Sequence, residues 1–443
     1  MQQTAAFMEY MLHYAWQHRI FPFGQLHTED GKEIDIVSVG RHNSDAGPDF
    51  IGAQLKIGGM TWAGNVEIHL RSSDWYRHHH DTDAAYDNVI LHVVSEIDCE
   101  VRTSKGQVVP QMQLDIPDYV ASNYEELLTS DRHPRCRRCL EAIPRLTITA
   151  WLSALSVERL ELRTEQLTER RKQCNLDWEQ TAFVTIARNF GFGKNGDAFE
   201  LWAKTVSMSA INKHRDDLFQ IEAVFFGQAG FLDDEYQMKR APLSDYYGKL
   251  KAEYAYLRKK FELKSIDPCQ WKFARMRPQG FPYMRIAQLA KLYHTRQLNL
   301  SRLIEAKTVE DVRALLDVQV SDYWQSHYSF SDVEVQAGNR SLSKATKDLV
   351  IINSVVPLLF AYGRYKADEE LCQRAIELLE QLKPESNHII KAWREAGVDC
   401  RSAAESQAVL QLTTRYCDAK DCLHCRLGFE YIRQTPTYLK ENV

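Results

Sequence analysis

The stretch from residue 42 to residue 74 constrains the fold most, because its pattern predicts two strands joined by a glycine turn. An apolar run at 49–57 is followed by Gly58-Gly59, a residue pair that a tight hairpin turn accepts readily. The chain then returns through 61–71, where apolar and polar residues alternate with a period of two. We therefore expect a β-hairpin with one buried face at the centre of an α/β unit.

Three residues of this hairpin can bind a metal ion. Glu67 and His69 are two positions apart, so they point to the same side of the second strand. Asp49 opens the first strand and is expected to lie beside Glu67, near the end of its partner. Two carboxylates converging with one imidazole form a site for a hard divalent cation, so the sequence predicts bound Mg²⁺ or Mn²⁺.

The same residues carry a resemblance to a known superfamily. Pro48-Asp49, followed after a turn by Glu67-Ile68-His69, resembles the PD-(D/E)XK nuclease signature, with His69 where a lysine usually stands. The expected order of elements over roughly residues 1–115 is similar to the αβββαβ core of that superfamily. It comprises a helix at 4–18, strands at 33–39, 49–57 and 61–71, a helix at 74–86 and a strand at 88–95.

The resemblance implies a catalytic site. Asp49 and Glu67, joined by Glu9 from the first helix, would hold one or two divalent cations. His69 would replace the lysine that orients the attacking water, and an imidazole can act as a base near neutral pH. Two alternatives remain: His69 is a third metal ligand, or the change marks a family that kept the fold and lost cleavage.

The chain as a whole resembles an uncharacterised bacterial family, domain of unknown function 2851. That resemblance implies no activity, so function must be argued from the site. No Walker A, GxSxG, GxGxxG or HExxH motif occurs in the sequence, which leaves NTP hydrolysis, serine hydrolysis and dinucleotide binding without support.

The charge is unevenly distributed along the 443 residues. Residues 1–143 contain 12 lysines and arginines against 21 aspartates and glutamates, together with 10 of the 15 histidines. An acidic, histidine-rich N-terminal part suits cation binding. Binding of nucleic acid would have to come largely from residues 144–443, which are weakly basic. We see no signal peptide and no long uncharged apolar run, so we expect a cytoplasmic protein without a membrane segment.

We expect an α+β chain of two domains. The α/β unit spans 1–143 and ends in a proline-rich transition, whereas 144–443 repeats apolar residues at helical spacing and predicts an irregular all-helical domain with a cysteine-rich tail at 400–425. The transition also contains Cys136 and Cys139, a CxxC pair that is either a metal or redox site or part of a basic, solvated turn.

Two features of the rear domain indicate binding. Cations interleaved with aromatic residues can hold phosphates and stack bases, which predicts DNA or RNA contacts at Lys272, Arg275, Arg277 and Arg285. The alternative is that the aromatic residues are core anchors. Four thiols near the C-terminus suit Zn²⁺ or an iron–sulfur cluster, unless they are reduced cysteines of a helical hairpin; they are Cys400, Cys417, Cys422 and Cys425.

The sequence therefore predicts a divalent-metal-dependent phosphodiesterase that acts on nucleic acid. The alternative is a non-catalytic module that binds nucleic acid or protein on a nuclease-like scaffold, so the sequence leaves open whether the chain is an enzyme. A metal-dependent hydrolase with another substrate is a third hypothesis. The first two differ at Glu67, because only a catalyst would lose its turnover when this residue is replaced.

Overall fold

The computed structural model describes residues 2–21, 26–43, 45–238, 242–294, 298–331 and 333–434. The chain divides into two compact units, the first comprising Met1–Arg145 and Thr414–Val443 and the second Leu146–Thr413. We placed the boundary at 143/144 and the whole tail in the helical domain. The structure instead assigns the tail from Thr414 onward to the first unit, and the predicted domain's residues 435–443 lie outside the described residues.

The first unit combines a sheet with short helices. Helix α1 (Gln2–Gln17) precedes it. The remaining elements, in chain order, are β1 (Leu26–His27), β2 (Glu33–Ser38), β3 (Arg41–His42), β4 (Phe50–Ile57), β5 (Met60–Arg71), α2 (Asp74–Arg77), a 3₁₀ turn (Ala84–Tyr86), β6 (Val89–Glu96), β7 (Gln111–Gln113), α3 (Asp118–Thr129) and a second 3₁₀ turn (Arg137–Cys139).

Among the described residues these strands form one seven-stranded sheet in the order β1-β2-β4-β5-β6-β7, with β3 paired to β4. The strands from β1 to β5 pair antiparallel, whereas β6 and β7 continue the sheet in parallel. Phe50 lies opposite Val66 and Ile57 opposite Met60. Gly58 and Gly59 form the turn with φ of 56° and 84°, values that favour glycine, so the predicted hairpin is confirmed.

The helix predicted at 74–86 is wrong. It stops at Arg77, because His79 adopts a left-handed backbone conformation with φ of 65°. Asp83, which lies within the predicted helix, instead caps the 3₁₀ turn that follows it. The chain between α2 and the 3₁₀ turn is irregular, and this places two other histidines beside β5, as described below.

The second unit is helical throughout its described length. Its α-helices, in chain order, are α4 (Arg145–Gln173), α5 (Trp178–Phe190), α6 (Gly196–Thr205), α7 (Met208–Lys213), α8 (Leu218–Gln228), α9 (Asp234–Met238), α10 (Asp245–Phe261), α11 (Pro282–His294), α12 (Leu300–Glu305), α13 (Val309–Leu315), α14 (Asp322–Ser326), α15 (Lys344–Val350), α16 (Val356–Lys366), α17 (Glu369–Gln381), α18 (His388–Glu395) and α19 (Ala403–Gln411). The chain then enters the first unit again and forms α20 (Arg426–Ile432).

Aromatic residues fill the core of the second unit. Phe183 contacts Trp202 and Tyr293 edge-on, with ring centroids 5.7 and 5.0 Å apart, and Trp202 packs against Phe225 at 5.1 Å. All four rings are buried. Helix starts are fixed locally, as at Asp177, whose side chain caps α5.

One helical stretch among the described residues, Lys344–Lys366, is long and apolar enough to cross a bilayer by length and composition, with a mean hydropathy of 1.3. Within this stretch, 61 % of the most apolar segment is buried inside the protein. Such burial is typical of a core helix. The cytoplasmic location stays a prediction.

A buried carboxyl group in the second unit makes its stability dependent on pH. Glu222 is 1 % exposed and accepts hydrogen bonds from Tyr246 Oη and, at 2.8 Å, from Ser321 Oγ. Burial raises the pKa of Glu222 to about 7. Since the unfolded chain releases this proton near pH 4.5, stability is expected to fall as the pH rises from there to about 7.

We therefore expect Glu222→Gln to stabilise the protein more at pH 8 than at pH 5, by on the order of 3 kcal/mol at most. Urea denaturation of the full chain at the two pH values measures the difference. The control is Glu305→Gln, because Glu305 is exposed. An equal effect of Glu222→Gln at both pH values would contradict a raised pKa at this position.

Candidate metal centre

Asp49 and Glu67 are fixed together through the backbone of the hairpin. Glu67 Oε2 accepts a hydrogen bond from the backbone N–H of Asp49 at 3.0 Å, and Asp49 Oδ2 accepts one from the N–H of Ile68 at 2.9 Å. Glu67 is buried, and the side chain of Asp49 is 22 % exposed. The structure thus brings together the two carboxylates that the sequence pattern placed side by side, each with one oxygen held by a main-chain donor.

Two histidines lie at the other oxygen of Glu67, and a third contacts one of them. His80 Nε2 lies 3.4 Å and His69 Nε2 3.6 Å from Glu67 Oε1, and His78 Nδ1 lies 3.1 Å from His69 Nε2. One ligand nitrogen from each histidine falls within 4.8 Å of the other two. His69 and His80 are buried, whereas His78 is exposed. Three imidazole nitrogens are thus close enough to serve one metal ion, and the carboxylate oxygen of Glu67 lies beside two of them.

A fourth histidine orients the ring of His69. His92, opposite Glu67 on β6, places its Nε2 2.9 Å from His69 Nδ1. Burial lowers the pKa of His69 to about 2 and that of His92 to about 3, so both rings are neutral at pH 7. One proton therefore lies between the two nitrogens. If His69 Nδ1 carries it, the lone pair of His69 Nε2 faces Glu67, as a metal ligand requires.

The two carboxyl groups are held in an environment that disfavours their charge. Burial, followed by the neighbouring Asp49, raises the pKa of Glu67 to about 9. Burial also raises the pKa of Asp49, against the opposing effect of His13. The buried rings of His69 and His92 are neutral and supply no counter-charge. A divalent cation would supply it, which is why such a donor set suits a metal ion.

Helix α1 contributes the edge of the site. His13 Nε2 lies 3.4 Å from Asp49 Oδ2. Glu9, one helical turn earlier, is half-buried, and its pKa is raised first by burial and then by Asp49. The structure therefore places Glu9 in the electrostatic field of Asp49, as the resemblance implied. The residues that contact the other histidines directly are Glu67 and His69.

Sequence reasoning missed four histidines of this site. The triplet at 78–80 lies within the helix predicted at 74–86, but the helix ends before it, and His80 contacts Glu67 while His78 contacts His69. His92 was hidden in an apolar strand, and His13 was one of many polar residues on α1. The density of histidines between 69 and 92 is a signal that could have identified His78, His80 and His92, but it does not mark His13.

The four cations predicted to bind nucleic acid lie in the second unit; they are Lys272, Arg275, Arg277 and Arg285. The first three are exposed. The neighbouring rings of Trp271 and Tyr283 are only 5 % and 2 % exposed, so they anchor the core and cannot stack on bases. The guanidinium of Arg285 lies over the ring of Phe192 at 4.7 Å and donates to Gln288 at 3.0 Å, and burial lowers its pKa to about 10.

The four cysteines predicted to share a metal do not fall in one unit. Cys400 lies in the second unit, where the charged residues that act on its thiol are Glu405, Asp399 and Arg394. The other three lie in the first unit: Cys417, Cys422 and Cys425. The thiol that acts on Cys417 most strongly is Cys136. Spacing within the tail could suggest only Cys400 as the fourth cysteine. The thiol that acts on Cys417, that of Cys136, lies nearly 300 residues away in the sequence.

Comparison with known proteins identifies the family but no activity. The family described as "protein of unknown function (DUF2851)" matches residues 9–388. No curated protein and no solved structure gives a significant match. Because the match covers most of the 443 residues, including the whole candidate site, the chain belongs to the DUF2851 family.

Proposed function

We propose that the first unit is a divalent-metal-dependent phosphodiesterase that acts on nucleic acid. The observation that carries this proposal is the buried oxygen of Glu67, 3.4 Å from His80 Nε2 and 3.6 Å from His69 Nε2, in a residue interlocked with Asp49. Carboxylate oxygens and imidazole nitrogens grouped in this way are the usual protein ligands of hydrolytic metal ions.

The order of elements supports the phosphodiester bond as the target. Helix α1, strands β2, β4 and β5, helix α2 and strand β6 follow the αβββαβ order that the nuclease resemblance implies. Asp49 immediately precedes β4 and Glu67 lies on β5, the two positions from which that superfamily holds its cation. The substrate class in this proposal rests on that resemblance.

We propose that His69 is a metal ligand and not a replacement for the superfamily's lysine. Its ring is 2 % exposed and enclosed by Glu67, His78 and His92. A general base needs room to approach the attacking water, whereas a ligand needs a fixed tautomer and a fixed ring. The contact with His92 supplies both.

The donor set favours Mn²⁺ over Mg²⁺. Magnesium binds oxygen almost exclusively and keeps several waters, so imidazole nitrogens disfavour it; imidazole suits iron and zinc, and the carboxylate oxygens suit manganese. A cation held here would lower the pKa of a bound water and stabilise the charge that develops on the phosphate. His78 is the exposed member of the group, so solvent and a substrate phosphate would approach from its side.

The test is a screen of the full chain, with Mn²⁺ and then Mg²⁺, against single- and double-stranded DNA, RNA and a small chromogenic phosphodiester. We expect Mn²⁺-dependent cleavage that a chelator abolishes. Metal binding without cleavage of any phosphodiester would overturn the proposal. If nucleic acid bound equally well with and without metal in that case, the non-catalytic module would be the better account.

Binding of Mn²⁺ is expected to release a proton. Burial raises the pKa of Glu67 to about 9, so this carboxyl is mostly protonated at neutral pH, yet only the carboxylate binds a cation. Affinity should therefore rise roughly tenfold per pH unit from about pH 6.5 to about pH 8.5, with release of about one proton per ion. Calorimetry in buffers of different ionisation enthalpy measures both quantities, and an affinity independent of pH over this range would contradict the expectation.

A further inference from the structure

The first unit contains a second group of potential metal ligands, distant in sequence from the histidine centre. Five cysteines of this unit are buried, with exposures of 1 to 6 %, and none of them forms a disulfide; they are Cys136, Cys139, Cys417, Cys422 and Cys425. They include two CxxC pairs, at 136–139 and at 422–425. Two such pairs brought together are the commonest arrangement of thiolate metal sites in proteins without disulfides.

Hydrogen bonds attach the tail next to the first pair. Arg135 Nε donates to the carbonyl of Cys417 at 3.1 Å, while its Nη1 donates to the carbonyl of Leu127 at 3.2 Å. Asn123, on α3, donates to the carbonyls of Tyr431 and Ile432 at 3.3 and 3.1 Å. These contacts join segments that are about 300 residues apart, so they hold the backbone of Cys417 beside the turn that carries Cys136 and Cys139.

The local backbone at both pairs is tight. Cys139 Sγ lies 3.2 Å from the carbonyl of Cys136, within a 3₁₀ turn. The N–H of Cys425 donates to the carbonyl of Cys422 at 3.3 Å and opens α20. A Cβ added at Gly428 would lie 2.1 Å from the Cys422 carbonyl oxygen, so only glycine permits α20 to pack this closely on the turn.

The electrostatics show which thiols are neighbours. The pKa of Cys417 is raised, first by burial and then by Cys136, Cys425 and Cys422. Burial, followed by Cys425 and Cys136, raises the pKa of Cys422 to about 12. Cys139 instead acts on Cys136, whose pKa is also raised. Four thiols thus influence one another directly, and Cys139 lies at the edge of the group.

Buried cysteines often serve only as small apolar residues, and that is the alternative reading. That alternative does not account for the convergence of five cysteines from two segments of the chain. Nor does it account for the two CxxC pairs among them, which have the spacing of metal ligands. We propose that Cys136, Cys417, Cys422 and Cys425 bind a thiophilic metal, as Zn²⁺ or as the iron of a cluster. Among the described residues only the histidine group has three ligand atoms within 4.8 Å of one another, so binding requires the cysteine side chains to rotate inward.

A bound metal would join the N-terminal α/β region to the returning tail. Thiolate ligation contributes folding free energy directly, because the site does not exist in the unfolded chain. The centre is therefore structural, and its existence does not depend on the phosphodiesterase proposal. It differs from the set that spacing alone suggested by one residue, with Cys136 in the place of Cys400.

The experiment is Co²⁺ substitution and metal analysis of the full chain and its variants. Thiolate-bound Co²⁺ gives intense near-ultraviolet charge-transfer bands that a histidine–carboxylate site does not give, so the two centres are distinguishable. We expect the bands in the wild type, their loss in Cys136→Ser and in Cys422→Ser, and their retention in Cys400→Ser. Cys136→His, which keeps a ligand, should retain the metal with a shifted spectrum. Iron and sulfide in the isolated protein would identify the metal as a cluster on the same residues.

Two results would overturn the proposal. One is a folded wild type that binds no metal through sulfur under reducing conditions. The other is loss of the bands in Cys400→Ser with retention in Cys136→Ser. If the serine variants do not fold, the wild type decides: chelation should make the four ligand thiols more reactive toward a thiol reagent, and unchanged reactivity would mean that no metal holds them.

Discussion

Glu67→Gln is expected to reduce metal-dependent phosphodiester cleavage by at least about 1,000-fold while leaving the fold intact. The amide has nearly the same shape and can still accept the hydrogen bond from the N–H of Asp49. It cannot supply the negative charge that a cation needs. Because burial keeps the Glu67 carboxyl largely protonated without metal, a neutral amide suits the apo site equally well, and the thermal midpoint should change little.

The matched control is Glu96→Gln, on neighbouring strand β6. The Glu96 side chain is 57 % exposed and pairs with Arg71 at 3.0 Å, so its loss removes one carboxylate from the same sheet without touching the centre. Initial rates with Mn²⁺ on whichever substrate the screen identifies, together with circular dichroism, decide the outcome. Cleavage retained by Glu67→Gln would exclude Glu67 from catalysis.

His80→Ala is expected to weaken Mn²⁺ binding by about 100-fold, or almost 3 kcal/mol. The His80 ring is held by stacking on Tyr86, with centroids 3.8 Å apart, and its Nε2 faces Glu67. Removing the ring deletes one nitrogen ligand and leaves the carboxylates in place. Calorimetric titration with Mn²⁺ measures the change.

The adjacent residue provides an internal control for this variant. His79 is exposed and has φ of 65°, a conformation that asparagine tolerates better than alanine does. His79→Asn should therefore bind Mn²⁺ like the wild type. An equal loss of affinity in both variants would show that the histidine run acts through general structure or charge and not through specific ligands.

The sequence was informative where contacts are local. Period-two alternation and two adjacent glycines predicted the hairpin, and strand geometry then required Glu67 and His69 to share a face. The close approach of Asp49 follows from the pairing of Phe50 with Val66. These inferences need only the geometry of one hairpin, which a single sequence encodes almost completely.

The rest depended on contacts that no local pattern encodes. The helix expected at 74–86 failed because the backbone of His79 is left-handed, and beyond that break His78 contacts His69 and His80 contacts Glu67. The cysteine set stays a prediction, and the set proposed above differs from it for a different reason. Cys136 acts on Cys417 from nearly 300 residues away, which spacing within the tail cannot reveal.

The measurement that tests the metal centre most directly is anomalous diffraction from crystals of the full chain grown with Mn²⁺, recorded on both sides of the manganese absorption edge. We predict one strong peak about 2.1 Å from Glu67 Oε1 and from the ligand nitrogens of His69, His78 and His80. Well-ordered crystals saturated with Mn²⁺ that show no anomalous peak at these four residues would contradict the account.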